Sequence, residues 1–395
     1  MSWKKFLVSE ERAQFVLAAK DKSESFASRC GRFGISRKTG YKWLQRYQAA
    51  GVKALADASR RPRHRGKVHH FVWRMRLRKV RQEHPHWGAK KLRRLLQKAF
   101  PRARRVPAVS TLARWLVELH LVRKRRRRAR RGPVLPWRGV HAPKGCNQVW
   151  TIDFKGWFRT GDGRRCEPLT VRDLFSRFVL AVVLLPNQSD AVVRRALVPV
   201  FHRYGLPKVI RADNGAPFGG KGALGLSRLS VWWLRLGIAV EFVRPAHPQD
   251  NGAHEQMHRV LRADVATPPA PSVAAQKRRI SSWIDCYNHQ RPHEALGQRV
   301  PGQIYWPSNR PLPEQLPPLK YPCAWDTRRV RNRGHIKWRG RERFVGRAFV
   351  GQWIGLKGTA DGIYEVYLDR HLIGLLYEQD LAGMRPATIA RHPWG

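Results

Sequence analysis

Up to about residue 122, apolar positions recur at helical spacing. The stretches "SEERAQFVLAAKD", "SESFASRCGRFGIS" and "RKTGYKWLQRYQAAG" (residues 9–51) read as three helices. Ser23 is the expected cap of the second helix, Gly34 its end and Ser36 the cap of the third, whose Tyr41, Leu44 and Tyr47 share a face. A second helical set follows over 68–122. There "HPHWGAKKLRRLLQKAF" spaces Trp87, Leu92, Leu95 and Leu96 along one side, and "VSTLARWLVELHLV" opens with Ser110 as its expected cap. Two all-α helix-turn-helix units are therefore predicted, over 1–60 and 61–122.

From 147 the period changes. "QVWTIDFKGWF" and "RCEPLTVRDLFSRFVLAVVLLP" predict three successive strands, the first two joined by the turn "TGDGRR". "SDAVVRRALVPVFHRYG" then reads as a helix, "LPKVIRAD" as a strand, "LSRLSVWWLRLG" as a helix and "IAVEFVR" as a strand. This order predicts an α/β core over 147–306 with a mixed five-stranded sheet. Residues 307–322 hold six prolines in sixteen positions, so 307–324 reads as a stiff linker. Beyond it, short alternating segments with Gly334, Gly340 and Asp361-Gly362 as turn signals predict a small β-barrel over 325–384.

Charge gives this multidomain outline a partner. The chain of 395 residues carries 78 Lys/Arg against 27 Asp/Glu, a formal +51, far beyond what solubility needs. Residues 1–132 hold 39 Lys/Arg and 7 acids, so +32 of that charge falls in the first third. Such a chain expects a polyanion, and double-stranded DNA is the default one because phosphate neutralisation releases counterions. In the first unit, Arg37, Lys38 and Lys42 of the third helix are placed to enter a major groove. In the linker 123–146, eight of the nine residues at 123–131 are basic, including Arg125, Arg126, Arg127 and Arg128. That density repels itself out of a packed helix and reads as an arm lying on phosphates. The 42% hydrophobic content supports real cores. Five scattered cysteines without a C-x-x-C pair argue against a zinc ribbon and a disulfide framework, and fit a reducing cytoplasm. The longest apolar run, residues 178–185, is too short to span a membrane.

Against this basic background, three acids stand out. Asp153 interrupts an apolar strand, where an unpaired carboxylate is costly to bury. Asp213 follows the strand "KVIRA" directly, at a carboxyl end where α/β sheets place their sites. Glu255 lies in the first turn of a helix whose Met257, Val260, Leu261 and Val265 form the core face, with Arg259 and Arg262 opposite. Together the three could hold Mg²⁺ (or Mn²⁺), two ions per site, for an in-line displacement at phosphorus. Arg262, two turns beyond Glu255, is placed to hold DNA phosphates. A competing pattern overlaps them: "HEQMH" at 254–258 matches H-E-x-x-H, which would make Glu255 the base of a zinc hydrolase with His254 and His258 as ligands. Its third ligand is missing, since Leu261 and Asp264 stand where that pattern continues with Gly and His, and it leaves the charge unexplained.

The motifs "WTIDFKGWF" (150–158), "RADNGAPF" (211–218), "HPQDNGAHEQMHRVLRAD" (247–264) and "YNHQRPHEALGQRVP" (287–301) resemble those of DDE transposases of bacterial insertion sequences. That family's core resembles retroviral integrase and has a ribonuclease-H-like fold, preceded by tandem helix-turn-helix units. The resemblance implies Asp153, Asp213 and Glu255 as the metal-binding triad and Arg262 as the basic residue seven positions after the Glu. It implies cleavage at terminal inverted repeats, joining of 3′-hydroxyls to target DNA, a homodimer or higher oligomer on DNA, and a place on the bacterial nucleoid. Gln256 departs from the basic residue frequent after the Glu, and "GGKGALGLSRLS" lengthens the stretch between Asp213 and Glu255. On this basis His254 and His258 become DNA-facing or packing residues. A regulator derived from a transposase, catalytically dead, is the remaining alternative; the intact triad speaks against it.

Overall fold

A computed structural model describes residues 8–19, 23–57, 70–103, 105–122, 142–243, 252–360, 362–380 and 383–387. The basic arm with Arg125 to Arg128 lies outside the described residues. The chain divides into two units, Met1–His70 and Phe71–Gly395.

The first unit holds helices α1 (Val8–Ala18), α2 (Phe26–Arg32) and α3 (Arg37–Ala50) around Phe15, Val16, Cys30, Trp43 and Leu55. Ser25, not Ser23, caps α2 by accepting the Ser28 N–H. Ser36 caps α3 as expected, and Gly34 turns the chain between them at φ +64°. The inward face of α3 is Gly40 and Trp43 rather than one led by Tyr41, which is 61% exposed and stacks on Phe26. Gly40 decides this register. A Cβ there would lie 2.7 Å from Cys30 Sγ and 2.9 Å from Phe15 Cζ, so only glycine lets α3 approach so closely.

The second unit opens with α4 (His70–Glu83), α5 (Ala89–Ala99) and α6 (Val109–Glu118). Trp87, Leu92 and Leu96 join Trp73, Leu77, Leu112, Trp115 and Leu116 in one core, as the spacing predicts. The cap position of α6 is Ala108, and Ser110 sits exposed inside the helix.

The α/β core comprises β1 (Val149–Phe154), β2 (Phe158–Arg159), β3 (Arg165–Asp173), β4 (Val179–Leu185), α7 (Asp190–Tyr204), β5 (Val209–Ala212), α8 (Arg228–Arg235), β6 (Ala239–Phe242), α9 (Gly252–Leu261) and α10 (Val273–Asp285). Five strands run in the order β4-β3-β1-β5-β6, and the short β2 adds to the start of β3 as a sixth. The β4-β3-β1 pairs are antiparallel; β1-β5 and β5-β6 are parallel. Strand alternation splits the faces. Trp150, Ile152, Leu169, Val171, Ile210 and Ala212 meet α7 and α8, whose Leu197, Phe201 and Trp233 complete that core. On the other face α9 and α10 bury Met257, Leu261, Val265, Ile280 and Trp283 against Val179 and Val182.

Residues 307–322 do not hang free between domains. Ser308 N–H donates to Tyr204 O, Leu206 N–H donates to Arg310 O, and the Arg310 guanidinium donates to the carbonyls of Pro207, Leu236 and Gly237. Leu312 and Leu316 pack on the core. The prolines leave few N–H groups to satisfy, so the segment lies as an extended strap. It passes over Gly205, at φ 72° and ψ −175°, where a Cβ would stand 2.5 Å from Ser308 O. Gly205→Ala is expected to lower stability by at least the ~1–3 kcal/mol of that glycine-only conformation, read as a drop in the thermal midpoint; an unchanged midpoint would show that the strap yields there.

The C-terminal strands are β7 (Asp326–Arg329), β8 (His335–Trp338), β9 (Arg341–Phe344), β10 (Trp353–Ala360), β11 (Ile363–Leu368), β12 (His371–Tyr377) and β13 (Arg385–Pro386). Where a barrel was expected, the described strands form an open antiparallel sheet, β13-β12-β11-β10-β7, and a separate β8-β9 hairpin. Their core is shared: Ile336, Trp338, Phe349, Ile354 and Leu356 close over Ala223 and Leu226 of the "GGKGALGLSRLS" loop and over Val231 and Leu234 of α8.

Candidate active site

The alternation that turns Trp150 and Ile152 toward α7 and α8 leaves Thr151 and Asp153 of β1 on the α9 face. Thr170 and Arg172 of β3 share that face, Thr170 standing directly opposite Asp153. Asp213 emerges just past β5 and Glu255 from the first turn of α9, both exposed. Asp153 feels both of them. Burial, then Asp213, then more weakly Glu255, push its carboxyl up to about 7. Asp213, though its surface is exposed, is raised too by partial loss of hydration among its neighbours. Asp173, equally out of place in an apolar strand, has a different fate. Its oxygens accept from Asn147 N–H at 2.8 Å, Ser176 N–H at 2.7 Å and Ser176 Oγ at 2.6 Å, which makes it a structural tie. Asp153 has two acids near it and a single backbone donor, Phe154 N–H, where Asp173 has three donors and no acid beside it to oppose them.

The "HEQMH" histidines point into the protein. His254 is wholly buried, its Nδ1 2.7 Å from Thr151 Oγ1 and its Nε2 2.6 Å from Thr170 Oγ1. His258 Nε2 lies 2.8 Å from the same Thr170 hydroxyl, and its Nδ1 lies 3.8 Å from Asp153 Oδ2. Burial lowers His254 far below the usual imidazole range and His258 to about 3, with Lys155 and Arg172 adding to the effect at His258. Both rings are neutral near pH 7, so the His258–Asp153 contact is no ion pair. Among the described residues, Asp153, His254 and His258 form the group whose metal-ligating atoms all lie within 4.8 Å of one another; the three acids stand further apart than that. His254 is thus a packing residue, and His258, 12% exposed at its side chain, packs on Thr170 beside Asp153. Arg172 completes this face by donating to Ala253 O at 2.6 Å, which ties the start of α9 to β3.

Of the basic candidates, Arg37, Lys38 and Lys42 are exposed on α3, and Arg259 and Arg262 are exposed beside Glu255. Arg262 begins a π-helical turn, Arg262–Ala266, that continues α9. Lys155 was not singled out from sequence. It lies near enough to both Asp153 and Arg262 that burial and Arg262 depress its ammonium while Asp153 opposes them. Its position two residues after Asp153, on the same strand face, was the available signal.

Known families match along this layout. An integrase core domain matches residues 143–248 and again 236–301, and the C-terminal domain of IS481 family transposases matches 325–380. A helix-turn-helix domain matches 11–63 and a homeodomain-like domain 39–116. The 31.7 kDa protein of insertion element IS407 from Burkholderia multivorans is 30% identical over 46% of this chain and 63% of its own length. The 39.2 kDa protein of insertion element IS476 from Xanthomonas euvesicatoria is 28% identical over 58% of this chain and 63% of its own. The chain thus spans just under two thirds of these relatives. Among solved structures, the HTLV-2 integrase catalytic core domain in complex with magnesium aligns at 16% identity and a TM-score of 0.33, covering 42% of this chain and 99% of that one. The domain between residues 143 and 301 is an integrase core. Helix-turn-helix domains are matched ahead of that core and a transposase C-terminal domain behind it, and the curated relatives are insertion-element proteins.

Proposed function

We propose that this protein is a transposase that binds the terminal inverted repeats of an insertion sequence, cuts at its ends and joins the freed 3′-hydroxyls to target DNA. The observation that carries this is the state of Asp153: a half-buried carboxylate on one sheet face, with its ionisation opposed by Asp213 and Glu255. A divalent cation relieves that opposition, and carboxylate oxygens suit Mg²⁺ or Mn²⁺. Asp153 would share both ions, Asp213 and Glu255 would each hold one, and bound ions would supply charge stabilisation on the attacking and leaving oxygens. Lys155, Arg259 and Arg262 line the approach for the phosphodiester. In the joining step a 3′-oxygen bonds to a target phosphorus as a target 3′-oxygen leaves, so one phosphodiester replaces another. Arg37, Lys38 and Lys42, with the arm containing Arg125 to Arg128, supply sequence and phosphate contacts in keeping with the +51 charge. Two ends cut together call for a dimer or larger assembly on DNA, located with the nucleoid.

The test is a strand-transfer assay in which duplexes carrying the element's end are mixed with plasmid and Mg²⁺. Joined product is expected from the wild type and none from Asp213→Asn. Product that persists in excess chelator, or that survives Asp213→Asn, would overturn the proposal.

A further inference from the structure

One side chain of the site has an unused donor atom. Thr170 Oγ1 meets three partners, the Asp153 carbonyl at 2.9 Å, His254 Nε2 at 2.6 Å and His258 Nε2 at 2.8 Å. A hydroxyl has one proton and two lone pairs. A carbonyl can only accept, so the proton goes to Asp153 O and both imidazoles donate their Nε2–H to the hydroxyl. Each neutral ring then has a bare lone pair on Nδ1. That of His254 is used: Thr151 Oγ1 stands 2.7 Å away, and its hydroxyl, whose other partner Arg172 O is 3.4 Å off, gives its proton to this nearer nitrogen. That of His258 faces Asp153 Oδ2 at 3.8 Å. Two donors bound to one cation at about 2.0–2.2 Å each lie roughly 3–4 Å apart. The spacing fits a shared ion, and among the described residues these two side chains belong to the cluster, with His254, whose ligand atoms lie within 4.8 Å of one another.

We propose that His258 Nδ1 is a nitrogen ligand to the divalent cation held at Asp153, making that site mixed nitrogen and oxygen while His254 serves only to orient it. This rests on the metal-binding role proposed for Asp153. The histidine pair of "HEQMH" thereby divides. His254, with both nitrogens committed to threonines, fixes α9 against β1 and β3, and His258 turns one nitrogen to the metal. An imidazole donor biases a site away from Mg²⁺ and Ca²⁺ toward Mn²⁺ and later first-row ions. His258→Gln separates the two nitrogens, because the glutamine amide reaches the Nε2 position and keeps a donor for Thr170 while leaving nothing at Nδ1.

The experiment is pulsed electron paramagnetic resonance of Mn²⁺ added to the full-length protein, grown with natural or ¹⁵N-labelled histidine. One directly bound imidazole nitrogen is expected, its coupling altered by the label. It should vanish in His258→Gln together with about a tenfold loss of Mn²⁺ affinity, and Mg²⁺ affinity should fall less. The labelled wild type needs no variant to fold. Mn²⁺ bound without histidine coupling, yet lost on Asp153→Asn, overturns the nitrogen ligand and leaves the role of Asp153 intact. Mn²⁺ binding that Asp153→Asn does not weaken overturns both.

Discussion

Asp153→Asn is expected to abolish Mg²⁺-dependent strand transfer, by on the order of 10³-fold or more, and at the same time to stabilise the metal-free protein at pH 8. The two effects have one cause. In the folded chain the carboxyl is raised from 3.8 to about 7, chiefly by burial and then by Asp213. A carboxyl raised on folding contributes stability that is fully present below about pH 4 and is lost as pH climbs through about 7. Asparagine, similar in shape and without charge, escapes that loss. The thermal midpoint of the variant should therefore exceed that of the wild type at pH 8, in chelator, and the advantage should shrink as pH falls toward 4. Duplex binding by gel shift should be unaffected, because Asp153 is 25% exposed at its side chain and contributes no positive charge. Midpoints that differ equally at pH 4.5 and 8 would refute the electrostatic account. Strand transfer retained by the variant would refute the catalytic one and favour a DNA-binding regulator.

Asp153 was legible because a single local conflict, an acid in a β-pattern of apolar residues, needs no tertiary information to be noticed. Its distinction from Asp173 was not. Both interrupt the same kind of strand, and only the fold shows that Asn147 and Ser176 donate to one while Asp213 and Glu255 crowd the other. The partners of the histidines were hidden for the same reason. Nothing near "HEQMH" announces Thr151 and Thr170, which lie 103 and 84 residues away from His254 and arrive through strand pairing. In α3, helical spacing picked out Tyr41, Leu44 and Tyr47; Leu44 and Tyr47 do pack on the core, but its centre is Trp43, brought in by Gly40 fitting against Cys30 and Phe15. The linker and barrel expectations left out the same thing, tertiary docking. Proline content describes stiffness and says nothing of docking, so the strap of Arg310, Leu312 and Leu316 was invisible. Short alternating strands gave the class of the C-terminal region correctly; the described strands form an open sheet, and α8 supplies one wall of their core.

That wall makes α8 the element on which the second large effect rests. "RLSVWWLR" is apolar on both sides: Leu229, Trp232 and Trp233 face the sheet of the α/β core, and Val231 and Leu234 face the C-terminal strands, all 7% exposed or less. A chain ending at Trp306, where sequence reading places the end of the core, loses both the strap and the covering sheet. Ala223, Leu226, Val231 and Leu234 then meet water, each larger side chain forfeiting about 1.5–3 kcal/mol of burial, and the uncovered patch invites association. The shortened chain is expected to aggregate, with a midpoint well below that of the full chain. Val231→Ser with Leu234→Gln should improve solubility in the shortened chain and destabilise the full one, an opposite sign in the two contexts that non-specific surface effects would not produce. A chain ending at Pro322 keeps the strap without the sheet, so its position between the two measures how much the Arg310 contacts contribute alone. A monodisperse chain ending at Trp306 with an unchanged midpoint would mean that α8 does not need its second partner, and that the C-terminal strands are an independent module.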